Sequence, residues 1–159
     1  MNHEKESSYY EPVKDWLDKI LKEKYASFHL EVTANRQFSN VLQAQIDSNR
    51  DLIFAFLKEA APDITGFVKK DSASLREFVV AEIKTTPIKL DDIYQVRKYA
   101  ELFDARYALL ISTCEIPEKI TRLTRVVYSL LSLPAYKQLT LVRFEANGSR
   151  STWFPDCPF

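Results

Sequence analysis

Pro62-Asp63-Ile64-Thr65-Gly66-Phe67-Val68-Lys69 and, beyond a polar turn at Lys70 to Ser74, Glu77-Phe78-Val79-Val80-Ala81-Glu82-Ile83-Lys84 are the two runs whose reading decides the fold. Both are of strand length, and the second is dense in the β-branched and aromatic residues that suit a pleated, packed surface. Asp63 to Lys69 therefore reads as one strand and Glu77 to Lys84 as the next. Thr85 to Leu90, interrupted by Pro87, reads as a loop. Asp91 or Asp92 can cap the helix that follows, which runs to Phe103 with Ile93, Val96, Ala100 and Phe103 on its apolar side. Tyr107 to Ile111 is then a nearly all-apolar run of strand length, as expected of a central strand covered on both faces.

Upstream, Val13, Trp16, Leu17, Ile20 and Leu21 recur at helical spacing with charged residues opposite, and Pro12 suits the first turn of that helix. Leu30 and Val32 alternate with polar neighbours and predict a short strand. Ser39 can cap a helix carrying Val41, Leu42, Gln45 and Ile46, and a second helix carrying Leu52, Ile53, Phe56, Leu57 and Ala60 runs until Pro62 stops it. Downstream, Pro117 opens a helix with Ile120, Leu123, Val127, Leu130 and Leu131 on one face. Pro134 ends it, and Leu139, Leu141, Arg143 and Glu145 belong to a further strand. The order predicts an α/β sandwich of three layers, a mixed central β-sheet flanked by helices. No repeat or linker divides the chain, so residues 1–159 read as a single domain, with residues 1–8 as a flexible leader.

Composition narrows the chemistry. With only Gly66 and Gly148, no glycine-rich phosphate loop can be written. His3 lies in the polar leader and His29 stands alone, which argues against a paired-His zinc site or a Ser-His-Asp triad. Cys114 and Cys157 are far apart, without the spacing of a thiolate cluster or a disulfide framework. No apolar stretch approaches the roughly 20 residues of a bilayer span, and Met1 to Tyr10 lack the apolar core of a signal peptide. A cytoplasmic protein with no membrane partner is the expectation. Any chemistry must rest on carboxylates, Lys and Tyr.

Three pieces supply those groups. Pro62-Asp63 opens one strand, Glu82-Ile83-Lys84 closes the next, and Gln95 to Tyr99 lies on the helix that follows. Strand alternation sends Glu82 and Lys84 to one side and Ile83 into the core. If the two strands pair, Asp63 sits beside Glu82. Adjacent carboxylates repel and raise each other's pKa unless a cation joins them. Mg²⁺ (or Mn²⁺) accepts one or two carboxylates, keeps several waters and takes phosphate oxygens for the rest. Lys84 beside it can orient or help deprotonate an attacking water and steady charge on the phosphate. Gln95 and Tyr99, at i and i+4 on one helix face, can hold a phosphate or support the outer shell of the ion.

This set resembles the PD-(D/E)XK nuclease superfamily, which shares the restriction-endonuclease-like fold. Here the motif reads Pro62-Asp63, eighteen residues, then Glu82-Ile83-Lys84, and it is followed by the Q-x-x-x-Y helix typical of the RecB-like branch. Glu11, early in the first helix, stands where many members carry a further acid. The resemblance covers roughly Tyr9 to Phe144. It implies a Mg²⁺-dependent nuclease acting on DNA, with Asp63, Glu82 and the Ile83 carbonyl on the metal, Lys84 positioning the water, and Gln95 and Tyr99 assisting. The iron–sulfur cysteines of some relatives are absent.

Ordinary readings stand beside these. Asp63 can be a turn acid, Glu82 and Lys84 a solvated pair on an edge strand, Tyr99 core packing, and Glu11 an acid favoured by the helix dipole. Charge is the counterweight to nucleic-acid binding, since 22 basic residues face 22 acidic ones. The balance is uneven: Met1 to Asp63 has 8 basic and 11 acidic residues, whereas Ile116 to Arg143 has five basic residues against Glu118. Lys119, Arg122 and Arg125 are therefore candidates for phosphate contact, and a homodimer would double that modest patch. The rival expectation is a nuclease fold with weak or no catalysis, serving as a DNA-binding or protein-interaction module.

Overall fold

In the computed structural model, residues 4–146 and 150–159 are described; His3 and Gly148 lie outside them. Of the expected leader, Glu6–Tyr9 form a 3-10 turn that leads directly into helix α1 (Tyr10–Lys24). Strand β1 (Ser27–Val32) is followed by two single-turn helices, α2 (Asn40–Gln43) and α3 (Ile53–Phe56). Then come β2 (Ile64–Lys69), β3 (Glu77–Lys84), α4 (Leu90–Phe103), β4 (Tyr107–Ser112) and α5 (Glu118–Val126). The chain closes with β5 (Ser132–Leu133), β6 (Lys137–Arg143) and β7 (Thr152–Phe154).

The described strands form one mixed sheet in the order β1-β2-β3-β4-β6-β5, with β7 also paired to β6. β1, β2 and β3 are antiparallel neighbours, whereas β3, β4 and β6 run parallel through helical crossovers. The α/β class expected from the sequence therefore holds. Each sheet face carries its own core. On one side Val13, Leu17 and Leu21 of α1 pack on Ile64, Val79, Ile83, Leu109 and Val142. On the other, Ile93, Val96 and Phe103 of α4 pack on Phe67, Phe78, Val80, Leu110 and Leu141. Alternation along β3 assigns Val79, Ala81 and Ile83 to the α1 side and leaves Glu82 and Lys84 facing α4.

Gly66 is required by the β1–β2 pairing. It lies opposite Leu30, and a Cβ there would run into the His29 carbonyl and the Leu30 side chain. Trp16, half-buried on α1, is stacked on Trp153 of β7 with ring centroids 5.1 Å apart and meets Phe144 at 5.3 Å.

Three expected helices are shorter than their apolar patterns. Ser39 does cap, accepting from the Leu42 N–H at 3.2 Å, but α2 lasts one turn, and so does α3. The expected helix from Pro117 to Pro134 stops at Val126, where Val127 leaves helical geometry (φ −110°, ψ 81°). The β-branched pair Val126-Val127 disfavours continuation, and the Arg97 guanidinium captures the carbonyls of Ser129, Leu130 and Ser132 at 2.7–2.8 Å. Leu130 and Leu131 still reach the α4-side core, but from a turn.

Candidate active site

The β2–β3 register pairs Ile64 with Ala81, so the next step along the ladder sets Asp63 against Glu82. β3 lies between β2 and β4, which excludes the reading of Glu82 and Lys84 as an edge-strand pair. The backbone at Asp63 is fixed by Thr33, whose N–H donates to the Asp63 carbonyl (2.8 Å) and whose hydroxyl donates to the Pro62 carbonyl (2.6 Å). The loop after Lys84 is held in turn by Ser112, whose hydroxyl donates to the Thr86 carbonyl at 2.8 Å and accepts from the Cys114 N–H at 3.0 Å.

Asp63 is 6% exposed and Glu82 4%. The Ile83 N–H donates to Asp63 Oδ2 at 2.7 Å, and Lys84 Nζ donates to Glu82 Oε1 at 3.0 Å. Glu82 Oε2 is buried with no hydrogen-bond partner among the described residues. Across from the pair, on α4, Gln95 Nε2 donates to the Tyr99 hydroxyl at 3.1 Å, and Tyr99 is fully buried.

Electrostatics follow from this crowding. Burial pushes the Asp63 carboxyl up to about 6 against the Ile83 N–H and the Lys84 charge, which favour its ionised form. Burial and then the neighbouring Asp63 charge push Glu82 up to about 7, with Lys84 opposing. Burial alone would lower the Lys84 ammonium, but Glu82, with Glu6 and Asp92 behind it, raises it and the net direction is up. The pair thus resists full ionisation near neutral pH unless a further cation joins it. The orphaned Glu82 Oε2 is the atom a cation would satisfy, and the two carboxylates, with the half-buried Lys84 ammonium beside them, are oxygen donors of the kind a hard divalent ion takes. Among the described residues no three His, Cys, Asp or Glu side chains converge to hold a metal, so any ion here would draw its remaining ligands from backbone, water and substrate.

Asp63, Glu82, Ile83, Lys84, Gln95 and Tyr99 are thus brought to one end of β2 and β3, beside α4. Glu11 is not among them. It is exposed in the first turn of α1, near Lys14, where burial pulls the ammonium down and Asp18, Glu11 and Asp15 together carry it to a net upward shift. The acid whose charge bears on Asp63, Glu82 and Lys84 is Glu6, in the 3-10 turn. Tyr10, at the start of α1, is a second neighbour missed in the sequence; its phenol interacts with Asp63 and is pushed up, first by burial and then by that carboxylate. The only sequence signal for Glu6 is its closeness to a helix start, and a polar leader carries no periodicity to mark it. Lys119, Arg122 and Arg125 lie on the exposed face of α5, and among the described residues none forms an ion pair.

A cavity of about 230 Å³ opens at the opposite end of β3, bounded by Arg50, Arg76, Phe78, Phe103 and Arg106. Cys114 and Cys157 are both free thiols, and no described helix is long and apolar enough to cross a membrane. Comparison with family profiles, with curated proteins and with solved structures gave no match.

Proposed function

We propose that the protein is a metal-dependent nuclease of the PD-(D/E)XK kind, built on a restriction-endonuclease-like fold and hydrolysing phosphodiester bonds of DNA. The observation that carries this reading is the buried Asp63–Glu82 pair with Lys84 at 3.0 Å and Glu82 Oε2 left without a donor. As a purely structural feature the arrangement is costly, since a buried carboxylate oxygen without a partner loses its hydration for nothing in return. When bound, Mg²⁺ or Mn²⁺ supplies an acidified water and a positive clamp on the phosphate oxygens. Asp63, Glu82 and the Ile83 carbonyl would hold it. Lys84 orients the attacking water and offsets charge that builds on the phosphate during displacement. Gln95 and Tyr99 brace the α4 side, where their paired polar ends can meet the ion's outer shell or the phosphate.

Cleavage of single-stranded, duplex and branched DNA with Mg²⁺ or Mn²⁺ tests this. Wild type cuts only with metal, and Glu82→Ala and Lys84→Ala each lose about 100-fold or more, the scale of one removed charge-stabilising group. Cutting by Glu82→Ala at the wild-type rate would sink the proposal. The zero net charge favours a second reading, a nuclease fold used for binding alone. That reading gains if wild type never cuts while Asp63→Ala binds DNA with ordinary salt dependence.

A further inference from the structure

From Lys119 to Phe144 the chain carries five basic side chains and no acid. Its exposed part holds apolar groups that the fold has not buried: Val126 is 71% exposed and Tyr128 86%. On α4, Tyr94 is 55% exposed and directly precedes Gln95 of the site, with Lys98 one turn further on. Arg97 joins the two segments. It sits three residues after Tyr94 and binds the carbonyls of Ser129, Leu130 and Ser132, so the loop bearing Tyr128 is pinned against the same helix. Arg122 and Arg125 lie on the outward face of α5, away from the buried Ile120. Acids flank this stretch rather than enter it: Asp91, Asp92 and Glu101 lie outside the span from Tyr94 to Lys98, and Glu118 stands at the start of α5, one turn before Arg122.

We propose that Tyr94, Lys98, Arg122, Arg125, Val126 and Tyr128 form a binding surface for single-stranded nucleic acid, leading to the carboxylate site. Exposed rings beside cations that form no ion pair among the described residues match a polyanion whose bases are free to stack, because aromatic faces take any unpaired base while guanidinium groups track the backbone. A duplex offers phosphates but hides its bases, so it would use the cations and leave the tyrosines idle. The inference rests on the nuclease reading for its biological sense, but binding can be measured apart from cleavage.

The experiment is fluorescence anisotropy in EDTA with a labelled oligo-dT and a duplex of equal length. Wild type favours the single strand. Tyr128→Ala and Tyr94→Ala each weaken oligo-dT binding by about five-fold or more, the lower end of base stacking, while duplex binding is unchanged. Tyr128→Phe keeps the affinity, since the ring remains. Arg122→Ala with Arg125→Ala lowers the slope of log affinity against log salt by about 1.4. Wild-type oligo-dT binding by both tyrosine variants overturns the inference, as does a preference for duplex. So does Tyr128-dependent self-association in sedimentation without any effect on oligo-dT. Because no metal is present, failure here leaves the nuclease reading standing; metal-dependent cutting that never appears, with this binding intact, counts against that reading alone.

Discussion

Glu82 and Asp63 face each other at 4% and 6% exposure, and their titration should be visible in the protein's stability. Both carboxyls bind protons more tightly in the folded chain, with ordinary values of 4.5 and 3.8 raised to about 7 and about 6. A group raised in this way adds stability below its unfolded value and loses it as pH rises through the folded one. Without metal, the melting temperature should fall between pH 5 and pH 8, since a tenfold gain in proton affinity on folding is worth about 1.4 kcal/mol. Mg²⁺ or Mn²⁺ needs both groups ionised, so it should raise the melting temperature at pH 8 and hardly at pH 5. Equal metal stabilisation at both pH values would rule this out. Glu6→Gln should make the fall in stability smaller and end it at lower pH, because removing that charge lowers both folded carboxyl values. Glu11→Gln should leave the profile where it was, and a pair of pH–melting curves separates the two. The site's five main side chains are legible in the sequence because strand alternation and helical i, i+4 spacing are local rules. Glu6 is not, because its role comes from how the 3-10 turn packs against β3.

At the scale of elements, pattern and outcome diverge where a tertiary contact competes with local preference. The N-cap of α4 is Lys89 rather than the expected Asp91 or Asp92; Asp92, already the third helical residue, closes the first turn by accepting from the Lys89 N–H at 2.8 Å. The segment after Val126 has helical spacing yet becomes a turn and a two-residue strand, since Arg97 offers its carbonyls a charged donor from another element. Arg97→Ala should therefore loosen residues 127–133 selectively, with a cost of about 2 kcal/mol for the lost charged hydrogen bonds. Hydrogen exchange is the measure: faster exchange confined to that segment and the adjoining β5–β6 pairing is expected, and uniform exchange across the chain would refute it. The same reasoning covers α2 and α3, whose apolar residues reach the core from single turns.

At the scale of the molecule, the sheet divides two cores that the sequence presents as one undivided set of apolar residues. Composition announces a core but not its partition, which depends on strand order and direction. The parallel β3–β4–β6 set and the antiparallel β1–β2–β3 set meet at β3, and that strand alone contributes the Glu82 and Lys84 face. Leu17→Ala, in the α1-side core, should cost about 2–5 kcal/mol. It should reduce metal-dependent activity only through the fraction unfolded, so kcat per folded molecule, with the folded fraction fixed by urea titration, should match wild type. A specific loss of kcat would mean that α1 positions the site more directly than packing alone requires. β7 escapes a reading of the sequence, because three residues are too few for a period even when Trp153 and Phe154 are strand-favouring types.

The stacking of Trp16 on Trp153 has an optical consequence. These are the only two indoles in the chain, so its tryptophan emission and near-ultraviolet dichroism report on one place, the seam between α1 and β7. The carboxylate end is spectroscopically silent by comparison, marked by tyrosines alone. A shift in tryptophan emission therefore signals the C-terminal strand lifting from α1, while events at Asp63 and Glu82 call for a probe of another colour.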